Sequence, residues 1–255
     1  MSKHHSFTSH SFLQYAYVNH WFSLYVGPNY KYPAVQMHEL GHNLNMAHSG
    51  GKDGKTYTDH TCLMGNPLWT DHQVGMCFNP VKNYQIAAGK KSWYNSEHIV
   101  EFNTGTLHRQ SWSGKLIGVA EYDNNPENHP IVLKLETGSA SDWFIGFNRD
   151  TGPNRDTQQA GDEVTIYKVA QGDGVGYSHS FLKGNLVAGK RAKITSWRDT
   201  GKDLIIEVKD INTSASPGWA EVEITFEGTP APGGSGGSPA TRSPTSSVRS
   251  SKYSA

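Results

Sequence analysis

Three histidines and one glutamate stand close together in the sequence, at spacings that suit a metal ion. His38, Glu39 and His42 form an H-E-x-x-H pattern, and His48 follows ten residues after His38. On an α-helix, residues i and i+4 lie on one face a turn apart, so both imidazoles can reach one ion with Glu39 beside them. Three neutral imidazoles leave the fourth tetrahedral position of zinc open to water, as in catalytic sites. The pattern therefore predicts one catalytic Zn²⁺ ion.

A helix must carry the first two histidines, and the chain must then reverse to bring back the third. The residues PAVQMHELGHNL include good helix formers, and Pro33 suits a first turn, so we predict a helix over about residues 33–45. Asn45 is one of the few non-glycine residues that tolerate a positive φ. We expect Asn45 to take that conformation and to turn the chain so that His48 reaches the metal.

The regions on either side of the predicted helix are rich in strand-forming residues. Residues 12–26 are aromatic and β-branched and end at a Gly-Pro-Asn turn, which predicts one or two strands. Short apolar alternations separated by turn residues fill residues 105–227 and are typical of an antiparallel β-sandwich-like domain. Residues 228–255 are mostly Ser, Gly, Pro and Thr, which predicts a disordered tail.

The composition excludes several classes of protein. The 255 residues carry 23 basic and 23 acidic side chains, and this balance gives no electrostatic footprint for nucleic acid. No run of about 18 apolar residues is present to span a bilayer. We therefore expect a soluble protein with no nucleic-acid partner and no membrane span. The sequence does not specify an oligomeric state.

The residues around the histidines resemble a known group of proteases. HELGHNLNMAH, residues 38–48, resembles the zinc signature of the metzincin proteases, with Asn45 where their usual form has glycine. AYVN before the helix, HSGG after it, and the later DHTCLMGNP and MCFNPVKNYQ are similar to the gametolysin family, which are secreted proteases of cell walls and extracellular matrix. The similarity to the family's catalytic region covers about residues 15–94.

The resemblance implies a fold, an activity and a set of site residues. The fold would be α+β, with an N-terminally shortened metzincin-like catalytic region over residues 1–104, because only 37 residues precede His38. His38, His42 and His48 match the zinc ligands, and Glu39 matches the catalytic base. The implied enzyme is a zinc endopeptidase that hydrolyses matrix or cell-wall proteins and glycoproteins through zinc-bound water activated by Glu39.

The resemblance also implies roles for residues outside the signature. Met64, in CLMG, matches the methionine of a turn beneath the zinc site, so a Met-turn is expected over residues 62–66. Asn66–Trp69 would form a wall of the pocket for the residue that follows the scissile bond. A strand within Tyr15–Tyr25 would pair with an extended substrate peptide.

Because the family is secreted, the resemblance implies an extracellular protein. The first ten residues are polar and histidine-rich, unlike a signal peptide, so either the protein is not exported or its true N terminus is missing from this sequence. Asn212 begins a glycosylation sequon that matters only in the secretory path. Cys62 and Cys77 could form a disulfide in an oxidising compartment, or be free thiols or part of a metal site.

Two other interpretations are open. In one, the chain is an inactive protease remnant whose β-rich domain is a binding or adhesion module, although the retention of Glu39 and all three histidines argues against it. In the other, zinc is structural and Cys62 or His60 closes its fourth position.

Two further groups of residues carry no functional assignment. Asp150, Asp156 and Asp162 do not match the spacing of a calcium loop, so calcium has no support from the sequence. No role is assigned to the histidines of the loop and the β-rich part: His60, His72, His98, His108, His129 and His179.

Overall fold

The computed structural model describes residues 14–66, 75–87, 98–103, 111–139, 141–199 and 201–227. Within these residues the fold is α+β, mostly β-sheet, with two α-helices, α1 (Pro33–Asn43) and α2 (Pro80–Ala87). Neither helix has the length and apolar character needed to cross a bilayer. The predicted tail over residues 228–255 lies outside the described residues.

Twelve strands in this part of the chain form three sheets. The strands are β1 (Gln14–Ala16), β2 (Ser23–Tyr25), β3 (Ser49–Gly50), β4 (Ile99–Phe102), β5 (Ser111–Ile117), β6 (Val132–Leu135), β7 (Trp143–Asn148), β8 (Glu163–Val169), β9 (Ser180–Leu186), β10 (Arg191–Ile194), β11 (Leu204–Asn212) and β12 (Trp219–Phe226). β1 and β2 pair as a hairpin. The larger sheets have the orders β3-β9-β8-β7-β6-β4 and β10-β11-β12-β5.

The six-stranded sheet is mixed. The pairings between named strands within residues 111–227 are antiparallel, as predicted for that region. The two parallel pairings, β3 with β9 and β4 with β6, bring in strands that precede residue 104. The six-stranded sheet therefore contains strands from both of the segments predicted from the sequence, residues 1–104 and residues 105–227.

The two larger sheets share one apolar core. Leu133, Ile145 and Ile166 of the six-stranded sheet belong to the same buried cluster as Ile206 and Val222 of the four-stranded sheet. Burial of apolar side chains from both sheets removes them from water, which is the main stabilising contribution to such a fold.

A second buried cluster joins α2 to the six-stranded sheet. It contains Val81 and Tyr84 of α2 together with Val132, Phe144 and Tyr167 of β6, β7 and β8. Since neighbouring residues of β7 and β8 belong to the two different clusters, this sheet is covered on both faces. The double burial accounts for the long apolar runs in its strands.

The hairpin β1–β2 is tied to the last residue of α1. The side-chain nitrogen Nδ2 of Asn43 donates to the carbonyl oxygens of Tyr17 at 3.1 Å and Phe22 at 3.0 Å. Ser23 Oγ donates to Asn43 Oδ1 at 2.7 Å. The N–H of Asn19 donates to the carbonyl of His42 at 3.0 Å. These bonds fix the hairpin against the helix that carries the first two histidines.

Four elements were not predicted from the sequence: β3, β4, β9 and α2. The strand β9 reads SFLKGNL, in which a glycine and several polar residues break the expected alternation. The helix α2 reads PVKNYQIA and is only 8 residues long, too short for a helical period to stand out. Each is defined by packing against neighbours that lie far away in the sequence.

Candidate metal centre

The structure brings the three predicted histidines together. The ligand atoms of His38, His42 and His48 all lie within 4.8 Å of one another. Their ring centroids are 5.0 Å apart for His38 and His42, 4.5 Å for His42 and His48, and 5.4 Å for His38 and His48. Among the described residues, this is the only group of three metal-ligating side chains close enough to hold an ion.

The turn after α1 brings the chain back toward the helix. Asn45 has a φ of 72°, which confirms the expected left-handed conformation. Its N–H donates to the carbonyl of His42 at 2.9 Å, and the N–H of Met46 donates to the carbonyl of Gly41 at 2.9 Å. These two bonds form a Schellman motif, which satisfies carbonyls that the helix end would otherwise leave unpaired. Gln85 of α2 steadies the turn by donating to the carbonyl of Asn45 at 2.6 Å.

The backbone orients the first two imidazoles. His38 Nδ1 lies 2.6 Å from the carbonyl oxygen of Leu63, and His42 Nδ1 lies 2.8 Å from that of Met46. Because a carbonyl oxygen only accepts, each Nδ1 must carry the hydrogen, which leaves each Nε2 lone pair free for a metal. This is the tautomer that two zinc ligands on one helix face require.

The electrostatic environment keeps the three imidazoles neutral. Burial lowers the pKa of His38 to about 4 and also lowers the pKa of His42. Burial, together with the other two imidazoles, lowers the pKa of His48 to about 2. Metal binding requires neutral imidazole, so these ligands need not lose a proton near neutral pH.

Glu39 follows His38 on α1 and carries a buried carboxyl group with one unpaired oxygen. Its side chain is buried, and Oε2 has no hydrogen-bond partner among the described residues. Burial raises the pKa of Glu39 to about 7. A buried acceptor without a partner costs about 1–3 kcal/mol, so it is uncommon unless a water or a ligand group satisfies it. The donor set and this free acceptor both fit a catalytic zinc ion.

Met64 lies in a tight turn packed against the middle of α1. The N–H of Gly65 donates to the carbonyl of Cys62 at 2.8 Å, which closes the turn, and Met64 is fully buried. A Cβ added at Gly41 would overlap the sulfur of Met64, so only glycine allows this approach. Met64 therefore packs against the helix at Gly41, the residue before His42. The resemblance to the protease family predicts a Met-turn at this position.

Two aromatic residues that the sequence did not single out lie against the third histidine. The ring of Tyr57 is 3.9 Å from that of His48, and Tyr57 has a φ of 69°. His179 is the residue before β9, and the centroid of its ring is 6.0 Å from that of His48. Tyr177 lies near His179, with a centroid distance of 6.5 Å. No periodicity or motif in the sequence marks these residues. For His179 the reason is that a long segment of chain separates it from His48.

The two cysteines are free thiols in the structure. Burial raises the pKa of both Cys62 and Cys77 to about 12, so both thiols are protonated near neutral pH. Neither belongs to the histidine cluster. His60 also lies outside the cluster, and its Nδ1 is 3.4 Å from the side-chain nitrogen of Asn66. The residues proposed to close a structural zinc site are thus not gathered around the three histidines.

The aspartates after β7 are engaged within the protein. Asp162 Oδ1 accepts from Arg149 Nη1 at 2.5 Å and from the N–H of Asp150 at 2.9 Å. Among the described residues these aspartates form no cluster suited to a metal, so the structure adds no support for calcium. Several residues considered in the sequence lie outside the described residues: Trp69, His72 and His108.

Comparison with protein families, curated proteins and solved structures gave no significant match. The function of this chain must therefore be inferred from its own residues.

Proposed function

We propose that this protein is a zinc-dependent endopeptidase. The observation that carries the proposal is the convergence of three neutral imidazoles, two of them on a helix where the residue after His38 carries a buried carboxyl group with a free oxygen. A structural site would be expected to enclose its ion with four protein ligands, whereas this cluster offers three. An open fourth position next to a free carboxylate oxygen is what hydrolysis requires.

His38 and His42 would bind the ion through Nε2, and His48 would complete the set with one ring nitrogen. When bound, zinc polarises a peptide carbonyl and lowers the pKa of water, so that hydrolysis proceeds near neutral pH. The helix α1 fixes the first two ligands, and the Nδ1 bonds to the backbone prevent their rings from turning away.

Glu39 would act as the general base. Its free Oε2 accepts the proton of the attacking water and then passes this proton to the leaving amine. A general base works best when its pKa lies near the working pH, and burial raises the pKa of Glu39 to about 7. A nearby cation would lower this pKa and favour the ionised form that accepts the proton.

The surroundings of the centre favour a polypeptide substrate. The hairpin β1–β2 is fixed against α1, and among the described residues its strands pair only with each other. An extended peptide can add to such a sheet edge through main-chain hydrogen bonds. Tyr57 and Tyr177 are 50% and 43% exposed, so their rings are accessible to substrate side chains near His48.

The finer assignments rest on the resemblance to the gametolysin family. They are a metzincin-like catalytic region, a β-sandwich-like region after it, secretion, and a matrix or cell-wall protein or glycoprotein as substrate. The alternative of an inactive remnant that serves as a binding module has less support, because the ligand set and the base are both complete.

A protease assay with matched variants tests the proposal. The purified chain is expected to bind one zinc ion and to hydrolyse casein, and a chelator should abolish the hydrolysis. Glu39→Gln should keep the zinc and lose about 10²–10⁴-fold in activity, because the general base is gone. Glu127→Gln, at an exposed carboxylate outside the cluster, serves as the control and should be fully active. Wild-type activity in Glu39→Gln, or no zinc binding by the wild-type chain, would refute the proposal.

A further inference from the structure

A buried polar network centred on Asp59 lies directly behind His48. The carboxylate of Asp59 is fully buried and accepts five hydrogen bonds, one of them from the side-chain nitrogen of Asn79 at 3.4 Å. Its Oδ2 accepts from Ser49 Oγ at 2.5 Å and from the hydroxyl of Tyr167 at 2.9 Å. Its Oδ1 accepts from the N–H of Thr61 at 2.9 Å and from Thr61 Oγ1 at 2.7 Å. Burial of a carboxyl group is costly unless hydrogen-bond donors replace its water in this way.

The network links three separate parts of the chain. The side-chain nitrogen of Asn79, just before α2, lies 2.8 Å from Ser49 Oγ and 3.0 Å from Ser180 Oγ. The hydroxyls of Ser49 and Ser180 are 2.9 Å apart. Tyr167 belongs to β8 and Ser180 to β9, so the network joins the edge strand β3 and the start of α2 to these two strands.

The same residues hold the backbone of the third histidine. Ser49 follows His48 directly, and its N–H donates to the carbonyl of Met64 at 2.7 Å. The N–H of Ser180 donates to the carbonyl of His48 at 3.3 Å. The strand β3 is only 2 residues long, so its pairing with β9 offers few ladder bonds of its own. The side-chain network must therefore supply much of what keeps His48 in place.

We propose that Asp59 is a positioning residue for the metal ligand His48. Asp59 locks β3 onto β9, and this fixes the point from which the imidazole of His48 projects toward His38 and His42. The β-rich part of the chain is then a component of the metal centre and not an attached module. The inference rests on the proposed function in one respect, which is that it takes His48 as a zinc ligand.

Zinc affinity provides the first test. Competition with a chromophoric chelator should show about 10–100-fold weaker zinc binding in Asp59→Asn, the range typical for partners that orient a ligand. Ser180→Ala removes one hydroxyl of the same network, should weaken binding in the same direction, and replaces Asp59→Asn if that variant does not fold. Val222→Ala, in the apolar core, is the matched control and should lose thermal stability without losing zinc affinity. Equal zinc affinity in all variants would overturn the proposal.

Hydrogen exchange of the metal-free chain provides a test that does not depend on zinc. Asp59→Asn should lower the protection of the Ser49 and Ser180 amides, which bond to Met64 and His48, by about 10-fold or more relative to amides of β11 and β12. Val222→Ala should instead lower the protection of amides in β11 and β12 relative to the amides of Ser49 and Ser180. Unchanged protection at Ser49 and Ser180 would overturn the positioning role. If the wild-type chain binds no zinc, the proposed function fails while this experiment still decides the positioning.

Discussion

The candidate metal centre consists of two halves that are held by different kinds of contact. The helix half contains His38, Glu39 and His42, and its geometry follows from α1 and the turn at Asn45. The strand half contains His48, which is held by the Asp59 network and by pairing with β9. Local rules build the first half, whereas contacts between distant parts of the chain build the second. A site can thus carry a local signature and still depend on the whole fold.

Removal of one ligand from each half is expected to have the largest effect. His42→Ala and His48→Ala should each reduce zinc content to a small fraction of the wild-type value, because two imidazoles hold zinc far more weakly than three. Elemental analysis of the purified variants measures this, with His129→Ala, outside the cluster, as the control. If one variant kept its zinc, the two halves would not be equal partners in binding.

The contact of Gly41 with the turn at Met64 tests how tightly the helix is packed. Gly41→Ala gains about 1 kcal/mol of helix propensity but overpacks against Met64, at a cost of about 1–3 kcal/mol. We expect a net loss in the free energy of unfolding, measured by urea denaturation. In a Met64→Ala background the same change should become stabilising, because the obstructing side chain is gone. An unchanged sign in that background would show that the contact is not the cause.

Substitution of Asn45 tests the helix half alone. Alanine tolerates a positive φ poorly, so Asn45→Ala should lower the free energy of unfolding by about 1 kcal/mol. Asn45→Gly should lie within about 0.5 kcal/mol of the wild-type chain, since glycine adopts this conformation readily. Thermal unfolding of the metal-free proteins distinguishes the two. Equal stability of both variants would mean that the turn is not under conformational constraint.

Among the effects on stability, the one at Glu39 should be the smallest, and it should depend on pH. Its pKa is raised to about 7 in the folded chain from 4.5, so its contribution is fully present below pH 4.5 and is lost as the pH rises toward 7. Without metal, Glu39→Gln should therefore match the wild-type chain at pH 4 and exceed it at pH 8 by on the order of 1 kcal/mol, allowing for solvent screening. Urea denaturation with chelator at both pH values measures this difference. A constant difference between the two pH values would contradict the raised pKa.

The sequence was sufficient for the helix half and for most strands of the β-rich part. The spacing of His38 and His42, and the tolerance of Asn45 for positive φ, are properties of neighbouring residues, and the structure places them as expected. Strands such as β8 and β11 have enough apolar side chains to be recognised without their partners.

The remainder could not be predicted because it depends on contacts across the fold. His179 lies beside His48 only after β3 has joined the edge of the six-stranded sheet. Asp59 is an ordinary loop residue by sequence, and its burial among Ser49, Thr61 and Tyr167 exists only in the folded chain. No periodicity or composition reports such contacts.

The pairing of β3 with β9 also determines when the metal centre can form during synthesis. Ser49 and Ser180 are 131 residues apart, so the strand half has no partner until β9 has emerged from the ribosome. Contacts between such distant residues form late and slowly, since a long loop must close before they contribute any stability. At synthesis rates of about 5–20 residues per second, the nascent chain therefore carries its helix half for several seconds before the strand half can join it.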